Sequence, residues 1–284
     1  MNPEEFIGIK KKESTDKTII DVKGHKIGGD IFTIFAGPCR VESEEQIVKA
    51  SRAIKKAGAH ILRGGAYKPC TSPHSDWGRG EKALKELRKA GEETGLPVIS
   101  EAMDIEQLDA VSKYSDIIQI GMRNGQNYNL LKQLGDYSNP VLIKRGTWMD
   151  LRETLCSAEW AYFTDEERNV RGNKNIIMCE RGTVHFNTHM RWTLDIAMVS
   201  SFKHESHIPM VVDISHGTGG DGNTVFYKDL ARAVVAAGAD GLMVEVHPEP
   251  SRSLSDAVQT IGLKEFEDLV EYIKPVVASV GKKL

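Results

Sequence analysis

The sequence has few cysteines and no long apolar run. Its 284 residues include 4 cysteines, too few and too scattered for a disulfide framework or a zinc ribbon. The amino terminus is polar and lysine-rich, without the apolar stretch of a secretory signal, and no later run approaches the roughly 18 residues of a membrane span. These absences argue against a secreted disulfide-rich domain and a membrane protein, and they predict a soluble protein of the cytoplasm.

A large excess of charge of one sign is also missing. Lysine and arginine number 37 and aspartate and glutamate 40, which gives a net charge of -3. The chain as a whole is therefore not drawn electrostatically to nucleic acid or to an anionic membrane. With 40% hydrophobic and 27% charged residues, the length fits one large globular domain or two small ones and excludes a disordered or fibrous chain.

Short β-branched apolar runs alternate with longer amphipathic segments from Ile31 onward, which is typical of βα units around a parallel sheet. Eight strands are predicted, at 31–35, 60–62, 98–100, 117–120, 141–143, 176–178, 210–212 and 241–244. Eight units in about 250 residues match the α/β class of closed (β/α)8 TIM barrels. The alternative, an open doubly wound sheet, usually has fewer strands and a Gly-rich turn after the first strand, which this sequence lacks.

Helical patterns lie between these strands and include 44–57, 80–94, 105–113, 227–237 and 264–273. Three of them are followed by glycines where left-handed caps favour that residue: Gly58, Gly95 and Gly238.

Two short apolar runs before the barrel, 18–22 and 25–27, are separated by Gly24 and fit a small hairpin that caps the barrel. A frayed leader fits the same residues equally well. The predicted organisation is an N-terminal extension over 1–30 and a catalytic barrel domain over 31–284, with no appended regulatory domain.

The carboxyl ends of the strands form the active face of such a barrel, so the residues just past each strand are expected to form one ring. Charged or metal-capable groups follow all eight predicted strands. The cations among them are Arg63, Lys68, Arg123, Lys144 and Arg181. Five positive charges at one cavity opening predict a substrate that carries phosphate, carboxylate or both.

A second set of strand-end residues offers a thiol, an imidazole and carboxylates: Cys39, His216, Glu245 and Asp256. This mixture suits a divalent transition metal such as Mn, Fe, Co or Zn rather than Mg or Ca, which avoid sulfur. The four residues are spread over the chain, so their spacing adds no support. A lone cysteine such as Cys39 is more often a small buried apolar residue.

Two loops at this face are candidates to close over a ligand. Residues 68–78 form a polar tract with hydroxyls and prolines that is too long for a simple turn. Residues 215–223 are Gly-rich and follow the seventh strand, where barrels often bind phosphate through backbone N–H groups. A flexible lid has the same composition, and both interpretations stay open.

Nine motifs in order at the strand ends carry a family resemblance: AGPC, ILRGGAYKP-TSP, SEAMD, IQIGMRN-QN, LIKRG, CERG, SH-TG, DGLMVEVHPEP and LSD. From about residue 32 to 271 the chain closely resembles the short, barrel-only 3-deoxy-heptulosonate-phosphate (DAHP) synthases, and more distantly the octulosonate-phosphate synthases. The resemblance implies a metal-dependent aldol-type condensation of phosphoenolpyruvate (PEP) with an aldose phosphate. Erythrose 4-phosphate would give DAHP in the shikimate pathway of aromatic amino acid biosynthesis.

The resemblance also implies residue roles. The family's metal ligands correspond to Cys39, His216, Glu245 and Asp256, and its PEP-binding residues to Arg63, Lys68, Glu101, Arg123, Lys144 and Arg181. Lys68 is expected to act as general acid at the new hydroxyl, and Glu101 and His216 to handle the attacking water. The acceptor aldehyde is expected at Cys70, Thr71, Ser72 and Asp213.

The departures from the family fall on the acceptor side. The family loop after strand two reads Lys-Pro-Arg-Thr-Ser, and its arginine helps to hold the acceptor phosphate, whereas Cys70 stands here. Arg40 stands where the family usually has a serine after AGPC, and the segment from Gly220 to Gly222 replaces a basic pair. These changes support an alternative, a related PEP-condensing synthase with a different aldehyde acceptor.

Two other interpretations are open. A Schiff-base aldolase using Lys144 is possible on the barrel alone, and it would be trapped by borohydride and indifferent to chelator. A non-catalytic barrel that binds or regulates a partner is the other, although the complete metal and PEP sets argue against it. The expected partners are small-molecule substrates, with no nucleic acid or membrane, in a homodimer or homotetramer as the resemblance suggests.

Overall fold

The computed structural model describes residues 6–186, 190–218 and 223–284. Eight parallel strands close into a barrel in the order β10-β3-β4-β5-β6-β7-β8-β9, and an antiparallel pair, β1 and β2, precedes them. The strands are β1 Ile20–Val22, β2 His25–Ile27, β3 Thr33–Gly37, β4 Ile61–Arg63, β5 Val98–Ala102, β6 Ile117–Ile120, β7 Val141–Lys144, β8 Ile176–Glu180, β9 Met210–Asp213 and β10 Gly241–Glu245. The α-helices are α1 Glu44–Ala57, α2 Glu81–Thr94, α3 Leu108–Tyr114, α4 Tyr128–Gln133, α5 Leu151–Tyr162, α6 Ile196–Glu205, α7 Ile214–Gly217, α8 Tyr227–Ala236 and α9 Leu263–Ser279.

The predicted (β/α)8 barrel with an N-terminal hairpin is confirmed. The first barrel strand begins later than predicted, at Thr33, because Ile31 pairs instead with Gly28 and Lys283. The last helix runs past Pro275 rather than ending before it, since Val277 beyond the proline is buried with the apolar face of α9. No helix in the described ranges is long and apolar enough to cross a membrane.

Helix ends follow the local chemistry of the sequence. Gly58 ends α1 at a φ of 102° and Gly95 ends α2 at 70°, both left-handed conformations that favour glycine, as predicted. At the start of α5, the Asp150 carboxylate accepts from the Glu153 N–H at 2.7 Å and the Glu153 carboxylate accepts from the Asp150 N–H at 2.9 Å. This reciprocal pair satisfies two N–H groups at the helix start.

The hairpin closes the amino-terminal end of the barrel. Its residues Ile20, Val22 and Ile27 belong to the same apolar cluster as the side chains that fill the barrel interior. Those interior residues include Phe35, Ile61, Ile99, Ile117, Leu142, Ile177, Val211 and Met243. A larger cluster packs the outer faces of the strands against the helices. With the interior packed and the bottom capped, a ligand has access from the carboxyl ends of the strands.

His60, at the amino-terminal end of the barrel, predicts a loss of stability in acid. Burial, followed by the nearby His25 and Lys55, lowers the pKa of His60 to about 4. Its Nδ1 accepts a hydrogen bond from the Ile34 N–H at 3.0 Å, which requires an unprotonated Nδ1. The unfolded chain therefore binds a proton more readily than the folded one between the two pKa values. Stability should be complete above the unfolded value of about 6.5 and decrease as the pH falls toward 4.

The expected contribution of His60 is a loss of about 2 kcal/mol in unfolding free energy between about pH 7.5 and about pH 5. Urea unfolding of His60→Asn and of the wild type at both pH values would measure it, with His204→Asn as control because that side chain is 85% exposed. The His60 variant should lose less stability on acidification than the wild type and the control. An equal loss in all three proteins would contradict the assignment.

Candidate active site

A cavity of about 410 Å³ opens at the carboxyl ends of the barrel strands. Most of the predicted site residues line it, although they are far apart in the chain: Cys39, Arg63, Lys68, Cys70, Thr71, Ser72, Glu101, Arg123, Lys144, Arg181, His216 and Asp256. Glu245 and Asp213 are both fully buried and lie beneath this lining. Barrel closure therefore brings the strand-end residues into one site.

Three of the four predicted metal ligands lie together. The ligand atoms of Cys39, Glu245 and Asp256 are all within 4.8 Å of one another, and Cys39 Sγ donates to Asp256 Oδ2 at 2.9 Å. His216 borders the group, with Nε2 at 3.9 Å from Glu245 Oε1. Asp256 has a φ of 53°, in the left-handed region. A non-glycine residue adopts this conformation only where the surrounding structure holds it.

This donor set fits a transition-metal ion. Burial, and then the charge of Glu245, raises the pKa of the Cys39 thiol, while Lys68 Nζ donates to its sulfur at 2.8 Å. Burial alone would raise the pKa of Glu245, but His216 and Arg63 outweigh it and lower the value to about 2. A cation among these groups would favour the thiolate and meet a carboxylate that is already ionised.

Three of the predicted cations have carboxylate partners, and Lys68 has the most distant one, with Nζ at 4.0 Å from Asp256 Oδ2. The other two form buried pairs. Arg63 Nη1 donates to Glu245 Oε1 at 2.8 Å, and Lys144 Nζ donates to Asp213 Oδ2 at 2.5 Å. All four side chains are buried, so each ion pair is shielded from water. The positive charge that these two residues offer to a ligand is therefore smaller than the sequence alone suggests.

Arg181 differs from Arg63 and Lys144 in its contacts, although the charges of Asp213 and Glu245 act on it from a greater distance. It is 4% exposed, and its contacts are Met122 Sδ, at 3.1 Å from Nη1, and the Trp192 ring, whose centre is 5.5 Å from the guanidinium carbon. Within the described part of the chain no carboxylate pairs with it. Burial lowers the pKa of Arg181. Since an unpaired buried charge is costly, the arrangement indicates an anionic ligand at this position.

Asp213 is fully buried and is not among the residues that line the cavity. Besides Lys144, it contacts His216, with Oδ2 at 2.8 Å from Nδ1 and with Oδ1 accepting the backbone N–H at 3.1 Å. The fully buried carboxylate thus orients the imidazole and the ammonium group above it. The residue ends β9, and its assignment to the acceptor stays a prediction.

Glu101 reaches the cavity because a glycine stands beside it. The carboxylate at the end of β5 accepts from Gln119 Nε2 at 3.1 Å. A Cβ at position 121 would lie 1.9 Å from Glu101 Oε1. Gly121, at the end of the neighbouring strand β6, is therefore required for this placement.

The 68–78 loop stands at the rim. Arg40, the residue gained after AGPC, pairs with Asp76 at 2.5 Å, and Cys70 Sγ donates to the Asp76 carbonyl at 3.3 Å. Arg123 Nη2 donates to Thr71 Oγ1 at 3.3 Å, across the cavity mouth. The 215–223 loop is described only in part, because residues 219–222 lie outside the described ranges.

Arg191 and Trp192 line the cavity but were not predicted from the sequence. They come well after β8 and reach the site because Thr193 pairs with Thr183 in an antiparallel bridge that returns the chain to the strand end. A search limited to strand ends cannot find them. The only local signal is an adjacent arginine and tryptophan in a segment without a helical or strand pattern.

The barrel, the thiol–carboxylate cluster and a buried arginine that pairs with no carboxylate in the described ranges define a (β/α)8 enzyme with a cation-lined cavity beside a candidate metal site. Comparison with known proteins then gives the family. The family model described as the DAHP synthetase I family matches residues 10–279. The chain belongs to this family, and the resemblance seen in its motifs is confirmed.

The relatives include two kinds of named enzyme. Phospho-2-dehydro-3-deoxyheptonate aldolase of Thermotoga maritima is 45% identical over 269 residues, which are 95% of this chain and 77% of that protein. A 2-dehydro-3-deoxyphosphooctonate aldolase of Caulobacter vibrioides is 29% identical over 261 residues, 85% of this chain and 86% of the relative.

Solved structures agree with this result. The crystal structure of the Thermotoga maritima DAHP synthase matches with a TM-score of 0.88 and 42% identity, covering 97% of this chain and 78% of that one. A truncated form of the same synthase matches with a TM-score of 0.87 and 40% identity, covering 98% and 99%.

Proposed function

We propose that this enzyme condenses PEP with erythrose 4-phosphate and water to give DAHP and inorganic phosphate, the first step of the shikimate pathway. The observation that carries the proposal is Arg181, a buried cation that contacts a thioether and an indole and pairs with no carboxylate of the described chain. A phosphorylated enol carboxylate would supply the missing anion. The 45% identity to a heptonate aldolase supports the same reaction.

In this proposal, PEP lies over the inner cations. Arg181 has the charge free for its anionic groups, and Lys144 and Arg63 contribute from the floor of the cavity while their carboxylate partners hold them in place. Arg123, on the rim, completes the set carried over from the family. Charge-assisted hydrogen bonds from several fixed donors hold PEP in one orientation for attack.

The reaction then forms a bond between C3 of PEP and the aldehyde carbon. The resulting alkoxide takes a proton from Lys68, whose pKa is raised by Cys39 and Glu245 against the lowering effect of burial. Water adds to C2 and gives up a proton to Glu101, and loss of phosphate from C2 leaves the ketone. His216 does not take this proton when it holds the metal, because its Nδ1 is bonded to Asp213 at 2.8 Å and its Nε2 is then the ligand. Cys39, His216, Glu245 and Asp256 would hold the transition metal, which supplies polarisation of the aldehyde carbonyl.

The alternatives are less well supported. The octonate aldolase of Caulobacter vibrioides is 29% identical, compared with 45% for the heptonate aldolase, so a different acceptor is not favoured. A Schiff base at Lys144 needs a free amine, whereas Nζ is engaged by Asp213 at 2.5 Å. A purely binding role does not account for the titratable groups Lys68 and Glu101 in the same cavity.

A coupled phosphate-release assay tests the function directly. The enzyme with PEP is expected to release phosphate with erythrose 4-phosphate faster than with arabinose 5-phosphate. Mass spectrometry of the product identifies the sugar acid. Phosphate release only with another aldehyde, or with none, would contradict the proposed reaction.

Metal removal should abolish this activity. After chelation, Mn²⁺ or Co²⁺ is expected to restore turnover and Mg²⁺ to restore it poorly, because Mg²⁺ avoids thiolate ligands. Added Co²⁺ should give a thiolate-to-cobalt absorption band that is lost in Cys39→Ser and kept in Cys156→Ser, a matched change on α5. A cobalt band that persists in Cys39→Ser would show that this thiol is not a ligand.

Other properties stay predictions from the sequence. A cytoplasmic location follows from the cysteine usage, a domain boundary near residue 30 from the strand pattern, and a homodimer or homotetramer from the family resemblance. Light scattering coupled to gel filtration measures the oligomeric state.

A further inference from the structure

The rim of the cavity carries a second group of potential anion-binding side chains. Arg191 and Trp192 line it, together with the hydroxyl residues Thr71, Ser72 and Ser75 of the 68–78 loop. None of these residues is part of the buried set that faces PEP in the proposed function. They provide hydrogen-bond donors in the outer part of the cavity.

The chain after β8 fixes the position of Trp192. Thr183 and Thr193 exchange two backbone hydrogen bonds, at 2.9 and 3.0 Å, so the segment returns beside Arg181. Gly182 has a φ of 94°, and a Cβ there would lie 2.9 Å from Trp192 Cβ. This close approach seats the tryptophan directly against the strand end.

The Trp192 ring contacts two guanidinium groups. The carbon atoms of Arg181 and Arg191 lie 5.5 and 5.3 Å from the ring centre, within the range of cation–π attraction. Arg181 is buried, whereas Arg191 is exposed at the rim. The Trp192 indole therefore contacts both the buried Arg181 and the exposed Arg191 of the same cavity.

The proposed reaction requires a cation at the rim of the cavity, where Arg191 lies. The aldehyde carbon of the acceptor must meet PEP in the inner cavity, so the phosphate at its far end points to the rim. The family has an arginine there, but this chain has Cys70, whose thiol donates to the Asp76 carbonyl. Arg40 does not replace it, since its guanidinium pairs with Asp76. Among the described residues, no carboxylate pairs with Arg191.

We propose that Arg191, positioned by Trp192, binds the phosphate of the acceptor aldehyde, with Thr71, Ser72 and Ser75 providing hydroxyl donors. This inference rests on the proposed function and deepens it, because it names the residue that recognises the acceptor. An arginine from the β8 side of the cavity thus takes the place of the one missing from the 68–78 loop. Cys70 is then compatible with a phosphorylated acceptor.

Steady-state kinetics with two acceptors test the inference. Arg191→Gln should raise the KM for erythrose 4-phosphate by roughly tenfold to a hundredfold, the loss expected for one charge-assisted contact. Its KM values for PEP and for unphosphorylated erythrose should stay near those of the wild type. Arg191→Lys should recover part of the loss. The matched control is Arg232→Gln, since Arg232 also lies over an aromatic ring, 5.1 Å from the centre of Tyr272, but on the outer helices.

Trp192 is a positioning residue, so its variants should behave differently. Trp192→Leu should raise the KM for both PEP and erythrose 4-phosphate because both arginines lose the ring, and Trp192→Phe should restore most of each. If Trp192→Leu only damaged the fold, its thermal unfolding midpoint would fall, and Trp192→Phe would not selectively restore the two KM values.

Phosphate binding to the PEP-saturated enzyme, measured by calorimetry, gives a test that does not require turnover. The wild type and Arg232→Gln should bind one inorganic phosphate, and Arg191→Gln should bind it at least about tenfold more weakly. Equal phosphate affinity in Arg191→Gln and wild type would overturn the inference even if DAHP is formed. Failure of the wild type to use erythrose 4-phosphate, with phosphate binding still dependent on Arg191, would overturn the proposed acceptor and leave the anion site standing.

Discussion

Arg181→Ala is expected to raise the KM for PEP by roughly a hundredfold or more, the largest effect on substrate binding that the structure predicts. The guanidinium is buried and has no carboxylate partner among the residues described, so its charge is available to the ligand. Removing it takes a charge-assisted contact from a desolvated anion. Steady-state kinetics at saturating erythrose 4-phosphate measure the change.

The same substitution should not weaken the fold. Arg181 forms no ion pair with a described carboxylate, and the buried Asp213, on which its charge acts, keeps Lys144 as its partner. Arg181→Ala therefore leaves no described buried carboxylate without a partner. Its thermal unfolding midpoint should equal or exceed that of the wild type, and Arg181→Lys should regain part of the PEP affinity. Arg52→Ala, at a side chain that is 66% exposed, serves as control. An unchanged KM for PEP in Arg181→Ala would refute the assignment of this residue.

Asp213→Ala is expected to cause the largest loss of stability, about 3 to 5 kcal/mol in unfolding free energy. The substitution removes the carboxylate that pairs with Lys144 at 2.5 Å and leaves a buried ammonium group without a partner. It also frees the His216 ring, which Asp213 holds at 2.8 Å. Urea unfolding of the purified variant measures the loss.

A double variant separates the charge effect from simple packing damage. Asp213→Ala combined with Lys144→Met removes both charges, so it should recover a large part of the stability while PEP binding stays impaired. Additive losses in the double variant would show that the two side chains do not stabilise each other. That result would contradict the account of Lys144 as a cation held by Asp213.

The cations of the site show which of its properties can be predicted from the sequence: their position at the cavity can be predicted, but their pairing with carboxylates cannot. Arg63, Lys144 and Arg181 follow three apolar runs, so placing all three at one mouth required only the barrel periodicity. Which of them is free for a ligand depends on partners 182 residues away for Arg63 and 69 residues away for Lys144. No local sequence pattern shows such a pairing. In the sequence, Arg63, Lys144 and Arg181 look alike, because each is a cation that follows an apolar run.

The same distinction holds for the acceptor side. The loss of an arginine at Cys70 is visible in the motif, because it is a change at one position in a contiguous stretch. Its replacement by Arg191 is not, because that residue reaches the cavity through the Thr183–Thr193 bridge and the indole of Trp192. Asp213 shows the converse, since its strand-end position suggested the cavity, whereas its side chain is fully buried and does not line it.

The sequence by itself determined the alternation of strands and helices, the glycine caps at Gly58 and Gly95, and the set of chemical groups at the strand ends. These properties depend on residues within one or two turns of each other, where propensity and periodicity act. Only the tertiary structure decided which cations are paired, how Cys39, Glu245 and Asp256 come together, and that Trp192 joins two arginines. Those contacts arise when the barrel closes, because closure sets the distance between side chains that the chain order leaves far apart.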